Sequence, residues 1–366
     1  MRPDDALIAA SAPLTVRPFA DGDRAAWAAF VQRCPEATFF HRIEWRDVIA
    51  EVFRHRTHYL VAERGGEVLG VLPLVQVKSL LFGHALVSLP FAAYGGAAVT
   101  DETARPMLHA AAVALARDLA ADHLELRNRV AHEPQWPRQD LYVTYRKQIL
   151  PEVDANMAAI PRKQRAMVRK GIGRGLASEI DDGVERFYEL YADNVHRHGT
   201  PPYPRRYFEA LRRAFGADCE VLTVLDPQGK PVSGVLSFYF RGEVMPYYAG
   251  DLVGARDLAA NDFKYWELMR RACERGLAVF DYGRSKQGTG SFDFGRSKRE
   301  SGSFDFKKNW GFEAQPLHYE YRLLKRDAIP QHNPANPKYR AFIAMWRRMP
   351  RTLTHAIGPA IVRNLG

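Results

Sequence analysis

Residues 281–311 read DYGRSKQGTGSF, then DFGRSKRESGSF, then DFKKNWG, so that one segment of twelve residues occurs twice in tandem. Eight of the twelve positions are identical between the copies, which indicates that a single loop was duplicated. A unit this short cannot bury a face of its own, and it is therefore not a solenoid repeat. The pattern of residues 262–282 predicts a helix followed by a strand, and residues 317–324 predict a last strand. The duplicated segment should therefore join two core strands.

The two copies are expected to behave differently. The first should continue the preceding strand, because Val279, Phe280 and Tyr282 supply apolar residues there. The second should bulge out as a mobile loop. Each copy presents cations, a hydroxyl and glycine, which suits a phosphate-bearing substrate; the alternative is a Gly/Ser loop with solvated cations. The candidate binding residues of the first copy are Arg284, Ser285 and Lys286.

Length and composition predict a folded protein of two domains with phosphate-bearing or anionic partners. The chain has 366 residues, of which 46% are hydrophobic, and a formal net charge of +10. An excess of positive charge favours polyanions, phosphate groups or an anionic membrane surface. No apolar stretch is long enough for a membrane span, the N-terminus does not resemble an export signal, and the three cysteines lack disulfide or metal spacing. We therefore expect a cytoplasmic protein with no metal site.

The order of predicted elements recurs in the two halves of the chain. Each half reads helices, hairpin strands, a further strand, a helix and a last strand, which predicts an α/β (α+β) fold of two tandem domains. Each domain should be a mixed, mostly antiparallel sheet flanked by helices. We expect a mobile leader at 1–13, domains at 14–150 and 151–329 with a seam at Pro151, and a basic helical tail at 330–366.

A predicted junction between a strand and a helix, residues 250–261, could bind an anion at the helix N-terminus. In GNAT acyltransferases such a junction binds the pyrophosphate of acyl-CoA through an Arg/Gln-x-x-Gly-x-Gly/Ala loop. The nearest match is 256–261, RDLAAN, in which Ala259 and Asn261 replace the glycines. Arg256 and Asn261 are the candidate donor-binding residues. The alternative is an ordinary helix capped by Asn261 or Asp262.

Residues 160–175, IPRKQRAMVRKGIGRG, contain six cations and no acidic residue. A helix would place Arg162, Arg165 and Arg169 along one face, where they could hold phosphates by charge-assisted hydrogen bonds. We therefore nominate Arg162, Lys163, Arg165 and Arg169 for substrate phosphates. A solvated basic surface is the alternative.

Two further positions are candidates for catalysis. Lys307 lies between aromatic residues at the exit of the duplicated segment, and a lysine held there could stabilise an oxyanion during acyl transfer. Tyr248 lies on a predicted core strand beside Tyr247, and strand alternation turns one of the two inward, so a packing role is the alternative for Tyr248.

The longer motifs carry a family resemblance. The chain resembles the FemAB family, and within it the FemAB-like proteins associated with PEP-CTERM/exosortase exopolysaccharide clusters. The resemblance covers the chain from about residue 14. It rests on the strand end FDYG at 280–283, the Phe306-Lys307 pair, and the stretches TFFHRIEW (38–45), LVAERGGEVLGVLPL (60–74), HGTPPYP (198–204), DFGRSK (293–298), FDFKKNWGFE (304–313) and NPKYRAFIAMWRR (336–348).

The resemblance implies two GNAT-like domains and an acyl- or aminoacyltransferase, with acyl-CoA or aminoacyl-tRNA as donor and no bound cofactor. It implies a cell-envelope or exopolysaccharide precursor as acceptor. By position it assigns Lys307 to the reacting carbonyl, and it makes Asp281, at the strand end, a further catalytic candidate. Family members with known bridge activity often insert a coiled-coil arm for tRNA, and no such heptads occur here.

Two further expectations concern partners. A degenerate GNAT pair that only docks a lipid-linked sugar or tRNA is the alternative to an enzyme. The tail combines Tyr339, Phe342, Ile343 and Trp346 at helical spacing with several arginines, a pattern typical of a helix on anionic lipid. It predicts contact with the cytoplasmic face of the inner membrane; packing of these residues on the second domain is the alternative.

Overall fold

The computed structural model describes residues 12–79, 83–286, 302–330 and 337–364. Its contacts divide the chain into two compact units. Unit 1 holds the described residues up to Asp140, together with Leu317–Pro330 and Asn364; unit 2 holds those of Leu141–Pro316 and those that follow up to Arg363. The predicted domain limits at 13, 150 and 329 are not those of this division, and they stay predictions. No helix within the described ranges has the length and apolar composition needed to cross a bilayer.

The strands and helices are numbered along the chain. The strands are β1 (Thr15–Pro18), β2 (Arg56–Thr57), β3 (Leu60–Arg64), β4 (Glu67–Leu72), β5 (Val75–Ser79), β6 (Gly83–Val87), β7 (Ala98–Val99), β8 (His123–Asn128), β9 (Arg138–Gln148), β10 (Ala177–Asp181), β11 (Cys219–Leu225), β12 (Pro231–Phe240), β13 (Glu243–Asp251), β14 (Val279–Lys286) and β15 (Glu313–Leu323). The helices are α1 (Arg24–Arg33), α2 (Glu44–Phe53), α3 (Ala104–Asp118), α4 (Val153–Ala159), α5 (Arg162–Gly173), α6 (Glu185–Arg197), α7 (Arg205–Phe215), α8 (Ala260–Glu274), α9 (Gly302–Asn309), α10 (Pro337–Arg348) and α11 (Arg351–Val362).

Unit 1 is built from two groups of hydrogen-bonded strands. One has the order β1-β3-β4-β7, and the other runs β15-β8-β6-β5-β2. The hairpin strands expected in the first half of the chain include β3 and β4, which turn at Gly65-Gly66, where both glycines have positive φ. Helix α3 packs on β3 and β4, because its buried face, which includes Leu108 and Ala112, joins their core cluster.

The motif TFFHRIEW of residues 38–45 has a structural role in unit 1. The Thr38 hydroxyl accepts a hydrogen bond from the amide of Phe40 and so caps a short 3-10 turn. The His41 ring is within 2.8 Å of the Gly96 carbonyl, and the Trp45 indole donates to the Phe39 carbonyl. These contacts bury the motif and fix the position at which α2 begins.

Unit 2 is organised around a sheet with the order β10-β11-β12-β13-β14-β9. The pairs from β10 to β13 are antiparallel, β13 and β14 are parallel, and β14 is antiparallel to β9. Adjacent residues of β12 show which helices cover each face. Gly234 contacts Leu190 of α6, whereas Val235 belongs to the core cluster that includes Phe263 of α8. Thus α6 lies on one face and α8 on the other.

The tail helices α10 and α11 pack on α6 within unit 2. Ile343 and Trp346 are buried, and Gly199 lies so close to Ile343 that a Cβ there would be 2.6 Å from its Cγ2 atom. Arg351 forms an ion pair with the buried carboxylate of Asp193. The apolar face of α10 from which we expected membrane contact is therefore largely used for packing within unit 2. The motif HGTPPYP forms part of the surface on which the tail helices pack.

Helix α9 was not predicted, because its residues were expected to be the end of the loop formed by the duplicated segment. Its sequence GSFDFKKN begins with residues that favour turns, so its helical pattern is short. The helix ends before Gly311, whose φ of +77° only glycine adopts readily. Lys307 therefore projects from a helix, and its position is more restrained than a loop would give.

A substitution at Gly250 tests the contact between β13 and α6. A Cβ at this position would overlap backbone atoms of Leu190 and Tyr191. We expect Gly250→Ala to lower the free energy of unfolding by about 1–3 kcal/mol, measured by urea denaturation, because neither backbone can move aside. Gly173→Ala is the matched control, since Gly173 has open space around its Cα and lies in α5. Equal stability of the two variants would contradict the tight contact.

Candidate functional site

The candidate site lies where β13 and β14 separate. The two strands pair only at Glu243 with Val279 and at Val244 with Phe280. Beyond these pairs β13 continues along β12 to Asp251, while β14 continues along β9 to Lys286. The two strands therefore diverge beyond these pairs, and an extended molecule could lie between them.

A bulge distorts β14 at this opening. Asp281 pairs with Arg146 and Arg284 with Thr144, so that one extra residue lies on β14 between these pairs. Gly283 has a φ of +65°, which is the conformation that such a bulge requires. The bulge takes the carbonyls of β14 out of the regular ladder, and they need other partners.

The ammonium group of Lys307 is the partner of those carbonyls. Its Nζ atom donates to the carbonyl of Tyr282 at 2.9 Å, to that of Gly283 at 3.3 Å and to the hydroxyl of Ser285 at 2.8 Å. Only 9% of the residue is exposed. The ammonium also lies 5.5 Å from the centre of the Tyr282 ring. The structure therefore brings together Lys307 and Ser285, two of the residues nominated from the sequence.

Asp281 stabilises the same bulge from the other side of the strand. Its buried carboxylate accepts hydrogen bonds from the Thr144 hydroxyl at 2.6 Å and the Gly283 amide at 2.8 Å, and it forms a 2.6 Å ion pair with Arg146. Arg146 also binds Glu243 at the start of β13. With these partners Asp281 orients the strand. The geometry assigns it a positioning role more readily than proton transfer.

Tyr248 belongs to an aromatic cluster on the α6–α7 face of β13. The strand is also bulged, since the register against β12 passes from Tyr248 to Pro246 and makes Tyr247 the extra residue. The Tyr248 hydroxyl is 2.9 Å from that of Tyr207 on α7. Burial raises the pKa of both hydroxyls well above the usual value, so both stay protonated near neutral pH.

Tyr247 links this cluster to β14. A Cβ at Gly283 would lie 3.7 Å from the Tyr247 ring, so the ring sits directly over the glycine. The site therefore joins a bulge on each strand, with tyrosines on the β13 side and Lys307 on the β14 side. The pattern of apolar residues could not reveal Tyr247, because a bulge breaks the alternation from which facing is read.

The nominated donor loop has a fixed geometry at the start of α8. The helix begins at Ala260, and Ala259 at the N-cap has a φ of +58°. The expectation of a cap at Asn261 or Asp262 was therefore wrong. Arg256 is exposed and Asn261 is half-buried, which leaves the Arg256 side chain open to a ligand.

A buried ion pair anchors this loop. Lys264, with no exposed surface, donates to Asp251 at the end of β13 over 2.8 Å. The Asn194 side chain of α6 donates to the Asp251 carbonyl at 3.2 Å. The sequence analysis missed both Asp251 and Lys264, although their place beside the nominated loop could have suggested a pair.

The basic helix forms as predicted, as α5. Arg162, Lys163 and Arg169 are exposed, while Arg165 is half-buried and donates to the Ala158 carbonyl at 3.1 Å. Among the described residues none of the four has an acidic partner. Gly171 packs α5 closely on Phe263 of α8, which fixes the helix on the side of the sheet where α8 lies.

The remaining nominated residues belong to the first copy of the repeat. That copy continues β14, as expected, and Arg284 lies exposed on it, with its guanidinium 4.7 Å from the centre of the Tyr142 ring. The side chain of Lys286 and the second copy up to residue 301 lie outside the described residues. The expected bulging of that copy stays a prediction.

Asp262 connects the start of α8 to the residues after α9. Its carboxylate accepts a 3.0 Å hydrogen bond from the indole of buried Trp310. Burial raises the pKa of Asp262 to about 6, against a usual value of 3.8. From the sequence Asp262 was considered only as a helix cap, because its contact with Trp310 joins residues that are far apart in the chain.

Replacing Lys307 should cost stability, because three acceptors would lose their donor. We expect Lys307→Met to lower the free energy of unfolding by about 1–3 kcal/mol, measured by urea denaturation. Lys308→Met is the matched control, since Lys308 is the exposed neighbour on the same helix. If both variants are as stable as the parent, the ammonium does not support the bulge.

Asp262 should make stability depend on pH. Since its pKa is higher in the folded protein than in the unfolded chain, folding favours the protonated form, and this contribution is lost as the pH rises from about 4 through about 6. Asp262→Asn keeps an acceptor for the Trp310 indole, and we expect this variant to be more stable than the parent at pH 7. Its stability should also depend less on pH between about 4 and 6. Thermal midpoints from pH 4 to 7 measure it, with exposed Asp257→Asn as control; parallel profiles for parent and Asp262→Asn would contradict it.

Comparison with known proteins identifies relatives of this architecture. Residues 156–308 match a family model described as an acetyltransferase (GNAT) domain. A UDP-N-acetylmuramoylpentapeptide-lysine N(6)-alanyltransferase from Weissella viridescens is 24% identical over 157 residues, which are 42% of this chain and 45% of that protein. The match thus spans less than half of the relative's length.

Solved structures share the fold at low sequence identity. A structure of FemX superposes with a TM-score of 0.63 at 16% identity, covering 85% of this chain and 98% of FemX. The C-terminal domain of a putative lysylphosphatidylglycerol synthetase from Agrobacterium fabrum gives 0.57 at 13% identity, over 82% of this chain and 91% of its own. A tandem GNAT protein from the clavulanic acid pathway gives 0.50 at 12% identity, over 87% and 100%. The predicted α/β fold of two GNAT-like domains is confirmed by the match of residues 156–308 to the GNAT-domain model and by the superpositions on FemX and on the tandem GNAT protein.

Proposed function

We propose that this protein transfers an acyl or aminoacyl group to an amine or hydroxyl of a phosphate-bearing cell-envelope precursor. The observation that carries the proposal is the opening between β13 and β14, bulged on both strands and bordered by Lys307 and the tyrosine cluster. An extended donor could lie in this opening against the strand backbone. The GNAT-domain match covers this region of the chain.

The chemistry begins with attack of the acceptor on the donor carbonyl. A new C–N or C–O bond forms, and the carbonyl oxygen takes the negative charge. Lys307 can stabilise that oxyanion by giving up its longest hydrogen bond, the 3.3 Å contact with the Gly283 carbonyl. Ser285 and the Tyr282 carbonyl would keep the ammonium aligned meanwhile.

Collapse of the intermediate breaks the bond to the leaving group, which is a thiolate from acyl-CoA or a ribose oxyanion from aminoacyl-tRNA. Tyr248 can supply the proton that this group needs, because its hydroxyl stays protonated near neutral pH, and the proton that the attacking amine or hydroxyl loses can then return to Tyr248. The adjacent Tyr207 hydroxyl, 2.9 Å away, is placed to hand on a proton to Tyr248.

The charged parts of donor and acceptor have separate candidate sites. Arg256 and Asn261, at the start of α8, would contact donor phosphates, and the cations of α5 would contact those of the acceptor. Arg284 and Ser285 would assist on β14. The named substrate of the Weissella relative is a UDP-linked muropeptide, which carries phosphates. The finer proposal, an exopolysaccharide precursor in a PEP-CTERM/exosortase system at the cytoplasmic face of the inner membrane, rests on the sequence resemblance.

A binding module without catalysis is the second candidate. It is favoured by the three acceptors that already engage Lys307, and by Ala259 and Asn261 where the donor loop of GNAT enzymes has glycine. Such a module would dock a lipid-linked sugar or tRNA through the same cations. It would bind donor or acceptor but would release no leaving group.

The test offers the purified protein acetyl-CoA or alanyl-tRNA together with UDP-linked and lipid-linked muropeptides. We expect release of free thiol or uncharged tRNA and a mass increase of one acceptor. Lys307→Met, assayed where it is fully folded, should lower kcat roughly a hundredfold with little change in KM, whereas Lys308→Met should behave as the parent.

Charge reversal on α5 separates acceptor binding from chemistry. Arg162→Glu with Arg169→Glu should raise the KM for the acceptor, and Arg117→Glu, an exposed arginine of α3 in unit 1, is the control. Binding of donor and acceptor with no leaving group released would support the binding module instead. Equal acceptor KM for both charge variants would remove α5 from the site.

A further inference from the structure

The two tail helices carry an unusual excess of positive charge. After Asp327 the sequence contains six lysines and arginines and no acidic residue. Among them Arg347 and Arg348 are exposed at the end of α10, and Arg351 is exposed at the start of α11. Arg351 is paired with Asp193 of α6 and Arg347 donates to the His198 carbonyl, which leaves Arg348 to supply the positive charge of the outward side.

One side of each tail helix is used for packing. Ile343 and Trp346 of α10 are buried, Gly358 of α11 packs on Pro202, and the His196 ring of α6 is 3.1 Å from the Met349 carbonyl between the two helices. Because both helices turn their buried sides to α6, their other sides point away from the unit.

The outward sides carry large apolar residues of their own. Met345 of α10 is 53% exposed, and Leu353 and Ile357 of α11 are 46% and 37% exposed. Leu353 and Ile357 are one helical turn apart and share a face, while Arg348 lies one turn after Met345. These partly exposed apolar residues lie on the same side as Arg348, and a patch of exposed apolar side chains marks a candidate interaction surface.

We propose that the outward face of α10 and α11, formed by Met345, Arg348, Leu353 and Ile357, docks on an anionic lipid bilayer. Arg348 would lie at the level of the lipid phosphates, and the three apolar side chains would enter the boundary between headgroups and acyl chains. This is a different surface from the face with Ile343 and Trp346 that the sequence suggested, since that face is already occupied.

The apolar residues distinguish lipid from nucleic acid as the occupant. An RNA backbone could be recognised by Arg348, but it offers no apolar surface to match Met345, Leu353 and Ile357. A bilayer matches both parts of the face. The proposal is independent of acyl transfer, because none of its residues borders the opening between β13 and β14.

The experiment is flotation of the full-length protein with vesicles of phosphatidylcholine, alone or mixed with phosphatidylglycerol. We expect the protein to float only with the anionic vesicles and less at high salt. The variant Met345→Gln/Leu353→Gln/Ile357→Gln should partition at least about tenfold more weakly, with an unchanged thermal midpoint. Val130→Gln, an apolar residue that is 63% exposed in unit 1, is the matched control.

A second pair of variants separates docking from packing. Arg348→Gln should weaken vesicle binding without loss of stability, whereas Ile343→Gln, on the buried side, should lower the thermal midpoint. Failure of the parent to float with anionic vesicles would overturn the proposal. Equal vesicle binding by the parent and the triple glutamine variant would also overturn it. A third contrary outcome is a parent protein that does not bind vesicles but binds RNA, with the RNA binding lost in the triple variant.

Discussion

The hydrogen bonds of the Lys307 ammonium hold the candidate site in shape. A buried lysine is costly unless its charge is compensated, and here two carbonyls and one hydroxyl surround it with no carboxylate among these three partners. The carbonyls are available only because Gly283 adopts a positive φ and breaks the ladder of β14. Lysine and bulge therefore depend on each other, since each satisfies polar groups that the other would leave unpaired in the interior.

The same bulge explains why charged residues cluster around β14. Asp281 binds the Gly283 amide from one side, and Arg146 ties that carboxylate to the start of β13 through Glu243. The part of β13 and β14 that is still paired is thus clamped, and the part beyond it is open. A rigid end and an open end suit a site that must admit an extended donor without losing the alignment of its catalytic groups.

Much of this fold could be predicted because its hydrophobic patterns are local. The hairpin at Gly65-Gly66, the basic helix α5 and the strand that the first repeat copy continues all follow from residues close in sequence. The site could be predicted only in part. Lys307 and Ser285 were nominated together, but the pairs Asp262–Trp310 and Asp251–Lys264 depend on tertiary contacts that no spacing reveals. The helical spacing of apolar residues in the tail correctly predicted a helix. That spacing does not indicate whether the apolar face packs on another helix or on a bilayer.

The motifs that carry the family resemblance divide by physical role. TFFHRIEW closes a turn in unit 1, and HGTPPYP both receives the tail helices and, through Tyr203, packs a ring 5.7 Å from that of Tyr248. Among the motifs within the described residues, FDYG and the Phe-Lys pair meet at the opening itself. In the proposed reaction the lysine would exchange one internal acceptor for the developing oxyanion. The weak 3.3 Å contact with Gly283 makes that exchange cheap, because little bond energy is lost, while the two shorter bonds keep the charge in place. A lysine with three short bonds would stabilise the strand better and would be a poorer oxyanion donor, so the unequal lengths are what allow one side chain to serve both the fold and the proposed reaction.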